Sequence, residues 1–372
     1  MRRVEEMNSL KKWPHHKPLA SRLSIILIGS LCFVFLGAGA QAPEPQEIKA
    51  GLEVVAPEDV GWSSAKLEEA KAFAEKINSA AVMVLYDGKV FISWGNVAKK
   101  YKIHSIRKPL LGALYGIYWG RGKINLEATL EQLNIDDIPP SLTKEEKMAS
   151  VSDLLMSRSG VYHEAAAESE DMAAARPLRG SHPHNTFFYY NNWDFNVLGT
   201  IFEKVTGAKI FEAFKKEIAD PIGMEDFSLD DCQYSYEEKK SKHSAYNFRM
   251  SARDMARFGL LYLRKGNWNG RQIIPQEWIE KSTMAHSVIN EEMGLGYGYL
   301  WNVVKPGGGF SNMLFEGKGA FYHTGVGIHT LSVLPEHKLV YVYRYDTDGE
   351  FRDPGEATIQ LVSMIINARL SK

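Results

Sequence analysis

The chain has 372 residues, 45% hydrophobic and 24% charged, with 44 Lys and Arg against 45 Asp and Glu. That balance suits a soluble globular protein with room for a sizeable core. It excludes nucleic-acid recognition driven by a basic surface, and two cysteines in such a length exclude a disulfide-built scaffold.

The first forty residues differ from the rest. Arg2, Arg3, Lys11, Lys12, Lys17 and Arg22 precede the uncharged run "LSIILIGSLCFVFLGAGAQA". A basic segment, an apolar run and a small-residue exit mark a secretory signal over residues 1–40, with cleavage expected after Ala38-Gly39-Ala40. The expected location is across the cytoplasmic membrane, in the periplasm. The alternative is an uncleaved anchor, although the run is near the lower length limit for a span. Membrane contact is expected only in that second case. Cleavage leaves Cys232 as the one cysteine, so the fold must hold through its core.

Residues 41–62 form a proline-spaced leader. Ser63 then opens "SSAKLEEAKAFAEKI", whose Leu67, Ala70, Phe73 and Ile77 share one helical face. "AAVMVLYDGKVFISWG" follows as two β-rich runs joined by Asp87-Gly88, a strong hairpin signal. From Ser105 to about residue 240 helical periodicity dominates. Strand character returns in "GYGYLWNVV" and "AFYHTGVGIHTLSVLPEHKLVYVYRYD", and "GEATIQLVSMIINARL" closes the chain as an amphipathic helix. Two β-rich ends flanking a helical middle predict an α/β (α+β) fold. Residues 63–104 and 250–372 would build an antiparallel sheet flanked by helices, and residues 105–249 would form an inserted all-helical domain.

Within this frame one spacing invites chemistry. Ser105-x-x-Lys108 puts a hydroxyl and an amine on one helical face, where the lysine could act as the base a serine nucleophile needs. The amine must be partly neutral to do so, which burial or a nearby cation would achieve. Three other Ser-x-x-Lys pairs compete. Ser9/Lys12 lies in the leader, Ser63/Lys66 fits a helix N-cap, and Ser141/Lys144 precedes Thr143 and Glu146, which have capping-box spacing. Further along, Tyr190 and Asn192 stand before an amphipathic helix. Tyrosine can shuttle a proton, and an asparagine amide can orient a lysine or a substrate carbonyl. Then His323-Thr324-Gly325 lies in a strand-rich stretch, where glycine permits close approach to the backbone.

Ser-x-x-Lys, Tyr-x-Asn and His-Thr-Gly in this order resemble the serine β-lactamase and penicillin-binding-protein superfamily, whose Ser-x-x-Lys and Lys-Thr-Gly elements are characteristic. The likeness runs from about residue 57 to the C-terminus and takes in "VSDLLMSRSGV", "SARDMARFGLLYL" and "GLGYGYLW". Within it, the chain is most similar to the class C β-lactamase-related serine hydrolases, which include esterases, peptidases and amide hydrolases. The resemblance implies a β-lactamase/transpeptidase-like fold and acylation of Ser105, with Lys108 helping to remove its proton. Tyr190 would act as general base in acylation and assist water in deacylation, sharing that work with the lysine. Asn192 would contact Lys108 and the substrate, His323 would lie behind Tyr190, and Thr324 would line the strand edge where substrate binds. The backbone N–H groups of Ser105 and Val326 would form the oxyanion hole. No cofactor or metal is implied, and the partner is a small ester, amide or peptide.

Several departures bear on this reading. Tyr189-Tyr190-Asn191 also fits Tyr-x-Asn, one residue out of register. His323 replaces the lysine that β-lactamases place near the substrate carboxylate, which favours an esterase, peptidase or amide hydrolase over an efficient lactamase. Pro109 follows Lys108, and the residue before a proline is pushed away from helical geometry. Arg107 could depress the Lys108 pKa or point to solvent. A D-peptidase or β-lactamase on cell-wall-type substrates is the alternative within the class. A non-catalytic envelope protein that binds ligand in the old site is the alternative outside it. His163, His182 and His184 read as loop histidines rather than metal ligands.

Overall fold

The computed structural model describes residues 51–370; the expected signal and its apolar run lie outside the described residues. None of the described helices is long and apolar enough to cross a membrane. Helix α1 (Ser64–Lys76) begins where Ser63 accepts a hydrogen bond from the Lys66 backbone N–H, so that serine is a cap. Strands β1 (Ala81–Tyr86) and β2 (Lys89–Gly95) follow as a hairpin whose turn residues, Asp87 and Gly88, both have positive φ. The other competing serine is also accounted for. Thr143 N–H donates to Glu146 and Glu146 N–H donates back to Thr143 Oγ1, a reciprocal cap.

The hairpin is one edge of an eight-stranded sheet drawn from both parts of the chain. The short strand β3 (Tyr101–Lys102) pairs outside it, in a second sheet with β4 (Cys232–Glu237) and β5 (Ser241–Met250). A small hairpin, β6 (Asn267–Trp268) and β7 (Arg271–Gln272), stands alone. The remaining strands are β8 (Ser287–Asn290), β9 (Leu295–Tyr297), β10 (Asn302–Val304), β11 (Ala320–Gly325), β12 (His329–Leu334) and β13 (Leu339–Arg344). They complete the order β2-β1-β13-β12-β11-β10-β9-β8, and each neighbouring pair is antiparallel.

Alternation along the strands sends side chains to two cores. On one face Val82, Val84 and Tyr343 pack with Leu67 and Ala70 of α1 and with Leu361 and Ile365 of the C-terminal helix. On the other, Met83, Leu331 and Val342 join the core that holds the middle of the chain. Helix α2 (Arg107–Gly120), helix α3 (Asn192–Thr206) and helix α4 (Ala252–Leu263) belong to that second core. Helices α5 (Gly309–Leu314) and α6 (Ala357–Asn367) lie on the first face. The antiparallel sheet with flanking helices is the expected architecture. The middle of the chain differs in one respect, since residues 105–249 are not all helical. The β4–β5 hairpin is an antiparallel strand pair, and Ser241–Met250 packs on α3 rather than continuing a helical stripe.

Candidate active site

The nucleophile candidate sits at a joint. Strand β3 ends, His104–Ile106 make a single tight turn, and α2 starts at Arg107. Pro109 is the third residue of α2, where the missing N–H is one the helix would leave unpaired anyway. The helix therefore keeps its geometry, and Lys108 Nζ lies 2.7 Å from Ser105 Oγ. Tyr190 Oη is 2.6 Å from the same nitrogen. The amine also faces the rings of Tyr190 at 4.4 Å and Phe195 at 4.5 Å. Lys108 is 1% exposed. Burial, and then the Arg107 cation, push its pKa well below the ordinary 10.5.

Arg107 does not reach solvent. Its guanidinium donates to Asn196 Oδ1 at 3.1 Å and lies over the Tyr246 ring, while its Nη1 is buried without a partner. A buried cation without a carboxylate beside it favours the neutral form of its neighbour.

Tyr190 precedes α3, and the register ambiguity resolves in its favour. The Tyr189 hydroxyl donates to the Met172 carbonyl, away from the lysine. Asn191 is the N-cap of α3, its Oδ1 accepting from Trp193 N–H. Burial raises the Tyr190 pKa, so the phenol keeps its proton. Asn192 is the first residue of α3, and it does not make the expected contact with Lys108. Its Nδ2 donates to the Ala167 carbonyl at 2.5 Å and its Oδ1 is buried without a partner. Asn196, one turn on, donates likewise to Ala166 at 3.0 Å. The two asparagines, four apart on one face, hold the 166–167 backbone.

His323 Nε2 stands 3.5 Å from Tyr190 Oη. Burial, then the Lys108 charge, push its pKa down to about 3. The neutral ring pairs Nδ1 with the Thr324 carbonyl at 2.9 Å. Nδ1 thus carries the proton, and Nε2 turns a lone pair to the phenol. Thr324 goes elsewhere. Strand alternation points it to the opposite face of the sheet, where it lines a cavity under α6 and not the Ser105 cleft. Gly325 is needed by the chain itself. A Cβ there would stand 2.5 Å from the Ile103 carbonyl oxygen, so its absence lets β11 press against the nucleophile's turn, where a ligand had been expected to approach. Val326, one residue past β11, is 53% exposed.

A second polar chain reaches the same turn. His104 has φ +48°, a left-handed value uncommon for a residue with a side chain. Its Nε2 is 3.0 Å from Thr347 Oγ1, and His329 Nε2 is 3.2 Å from the same oxygen. The buried Arg344 guanidinium donates Nε–H to His329 Nδ1 at 3.1 Å. Since arginine only donates, His329 is fixed with its proton on Nε2. His329 Nε2–H donates to Thr347 Oγ1, which also pairs with His104 Nε2. Burial first, and positive neighbours next, push His104 to about 4 and His329 to about 2, so both rings are neutral. Motif spacing offered no sign of this network, because its members come from distant segments.

Asp194 of α3 anchors the loop beside the site. Its Oδ1 accepts from Ser159 Oγ at 2.6 Å and from Asn191 Nδ2 at 3.0 Å, while Oδ2 is buried without a partner. Burial raises its pKa well above the ordinary carboxyl value. A carboxyl whose folded pKa is raised gives its full stability at low pH and loses it as pH rises through the folded value. Asp194→Asn is therefore expected to melt progressively higher than wild type between pH 5 and pH 9, with a gap of about 2 °C or more at the alkaline end. Thermal melts at the two pH values check this, and a gap that shrinks with pH would contradict it.

The loop histidines have separate partners. His184 pairs with Asp153 at 3.0 Å, His182 stacks on Phe187, and His163 meets the Pro140 carbonyl. No group of three or more potential metal ligands occurs among the described residues.

The β-lactamase family model matches residues 65–362. Among solved structures, similarity extends to a provisionally assigned 6-aminohexanoate-dimer hydrolase from Bacillus anthracis. The two are 20% identical with a TM-score of 0.62, over 86% of this chain and 87% of that one. An octameric penicillin-binding protein homologue from Pyrococcus abyssi is also 20% identical, with a TM-score of 0.59 over 82% and 77%. A class C β-lactamase is 14% identical, with a TM-score of 0.60 over 83% and 97%. At these identities the likeness carries the fold. A curated relative, an uncharacterized protein of Alkalihalophilus pseudofirmus, is 32% identical over 117 residues; the match spans 31% of this chain and about a third, 34%, of that relative. Together with the sheet-and-helix fold, a family match that covers most of the chain leads to one conclusion: the protein belongs to the β-lactamase family of serine hydrolases.

Proposed function

We propose that the protein hydrolyses an ester or amide through an acyl-enzyme on Ser105, with Lys108 and Tyr190 moving the protons. The observation that carries this is the Lys108 amine, buried and depressed in pKa, within 2.7 Å of the serine oxygen and 2.6 Å of the tyrosine oxygen. A neutral lysine takes the Ser105 proton as Oγ bonds to the substrate carbonyl carbon. The phenol, kept protonated by burial, gives its proton to the leaving alcohol or amine and regains one from Lys108. Water then attacks the acyl carbon, passing its proton back through the same pair and restoring Ser105. The Ser105 and Val326 N–H groups are the proposed oxyanion donors, each worth about 3 kcal/mol on the transition state.

His323 supports an ester, amide or peptide over a β-lactam. A ring held neutral offers no charge to a substrate carboxylate, whereas a lysine would. The leader sequence supports export to the periplasm. Treating the full chain with a fluorophosphonate and mapping the adduct by mass spectrometry tests the nucleophile. The adduct is expected on Ser105, and full esterase activity in Ser105→Ala would refute the proposal. Turnover of a nitrophenyl ester, nitrocefin and a D-amino-acid amide ranks the substrates.

In this reading the His104–Thr347–His329–Arg344 chain positions the Ser105 turn. Thr347→Val breaks it in the middle and is expected to lower kcat about tenfold with KM nearly unchanged, the loss of about one neutral hydrogen bond. Thr347→Ser, which keeps the hydroxyl, is expected to restore the rate. Equal rates in both variants would show that the chain does no positioning.

A further inference from the structure

The face of the sheet turned away from Ser105 holds a cavity of about 420 Å³ beneath α6, which nothing in the proposed reaction uses. That volume lies within the range of small-molecule sites. Its floor and roof are chemically different. Across the floor, Tyr322, Ser332 and Tyr341 are directly opposite one another on β11, β12 and β13, a row of three hydroxyl side chains in register. Thr324 and Thr330 form the next cross-strand pair toward the end of β11. The roof is hydrocarbon, from Ile359, Val362 and Ile366 of α6, and Phe310 and Leu314 of α5 close one end.

The floor is not self-satisfied. The Tyr341 hydroxyl is buried without a partner, and Tyr341 itself is 5% exposed. That oxygen is closed even to a water-sized molecule, so a ligand's oxygen or nitrogen would pair with the Tyr322 and Ser332 hydroxyls beside it, which are half-buried and bond no described residue. Among the described residues, Glu356 is the one charged side chain on the lining. An anionic ligand would meet that carboxylate and find no cation, while a cationic one would lose its hydration within an otherwise uncharged wall.

We infer that this cavity binds a neutral, mostly apolar molecule that carries a hydrogen-bonding oxygen on one edge. The apolar body lies under Ile359 and Val362, and the oxygen faces the tyrosine-serine row. The site is separate from the nucleophile by the thickness of the sheet. Neighbouring residues of β11 point to the two sides, His323 toward Tyr190 and Thr324 into the cavity. The inference does not rest on the acyl-enzyme reading.

The test is a fluorescence titration of the full chain with Nile red, a neutral apolar dye bearing a carbonyl, followed by displacement with 1-decanol or with decanoate. Saturable one-to-one binding is expected, with decanol displacing the dye at a concentration at least tenfold lower than decanoate. Val362→Trp, which fills the cavity, is expected to weaken binding at least tenfold. Tyr322→Phe, which removes only the hydroxyl oxygen and keeps the ring, is expected to leave dye binding measurable and weaken decanol several-fold. Protein blocked at the serine by fluorophosphonate is expected to bind as the free protein does. The inference is overturned by the absence of saturable binding, by unchanged affinity in both variants, by equal displacement with decanoate, or by loss of binding on fluorophosphonate treatment.

Discussion

Lys108→Met is expected to lower kcat/KM for an ester by about a thousandfold or more, because it removes the base while filling nearly the same buried volume. KM should change little, since the amine lies behind Ser105 and its loss affects the transition state more than the bound substrate. A companion result concerns pH. The reaction uses the neutral amine, so kcat/KM rises with pH as Lys108 loses its proton and then levels. Burial and Arg107 both lower that pKa, which moves the rising limb toward acid. Arg107→Met removes one of the two causes and leaves the other, so the limb should move up by about one unit. A limb that stays in place in Arg107→Met while Lys108→Met is inactive would assign the rise to another group. Thermal melts of both variants separate folding losses from chemistry, since Arg107 also bonds Asn196.

Gly325→Ala is the second large effect. The added methyl would stand 2.5 Å from the Ile103 carbonyl oxygen and 3.1 Å from His104 Cβ. The first neighbour is backbone and cannot rotate away, so either β11 or the turn before Ser105 must move. Overpacking of this kind costs about 2 kcal/mol. The larger loss falls on the rate, because the proposed oxyanion donors lie on the two segments forced apart. A displacement of about 1 Å there is expected to lower kcat about a hundredfold. Calorimetric melts and ester kinetics on the same preparation test it. A variant that loses stability and keeps its kcat would show that the segments separate without misplacing the donors.

Much of the site could be read from local patterns. A helix spacing placed Lys108 beside Ser105, whereas the choice of Tyr190 over Tyr189 needed the hydroxyl positions, one on Lys108 and the other on the Met172 carbonyl. The two cap residues that explained the competing serines, Ser63 and Thr143, act as caps. What could not be read depends on direction and distance. Which way Asn192 turns is set by the Ala167 carbonyl, a contact across a loop of no regular period. Thr324 belongs to a motif that suggests substrate, yet the pleat commits its side chain to the far side of the sheet. The His104–Thr347 bond joins residues 243 apart, a separation at which no local pattern survives. The β4–β5 hairpin escaped notice because its apolar residues are interspersed with polar ones that fit a helix face equally well.

The sheet's assembly from both parts of the chain also imposes an order in time. Strand β1 has its hairpin partner at once, but its other edge pairs with β13, made only after the whole middle of the chain. Until then "AVMVLY", buried along almost its whole length in the finished fold, presents an open apolar edge. Such long-range pairing is slow, and the unfinished chain is exposed to aggregation while it waits. A stop codon that removes Leu339–Arg344 would therefore be expected to yield an insoluble product rather than a weakened enzyme.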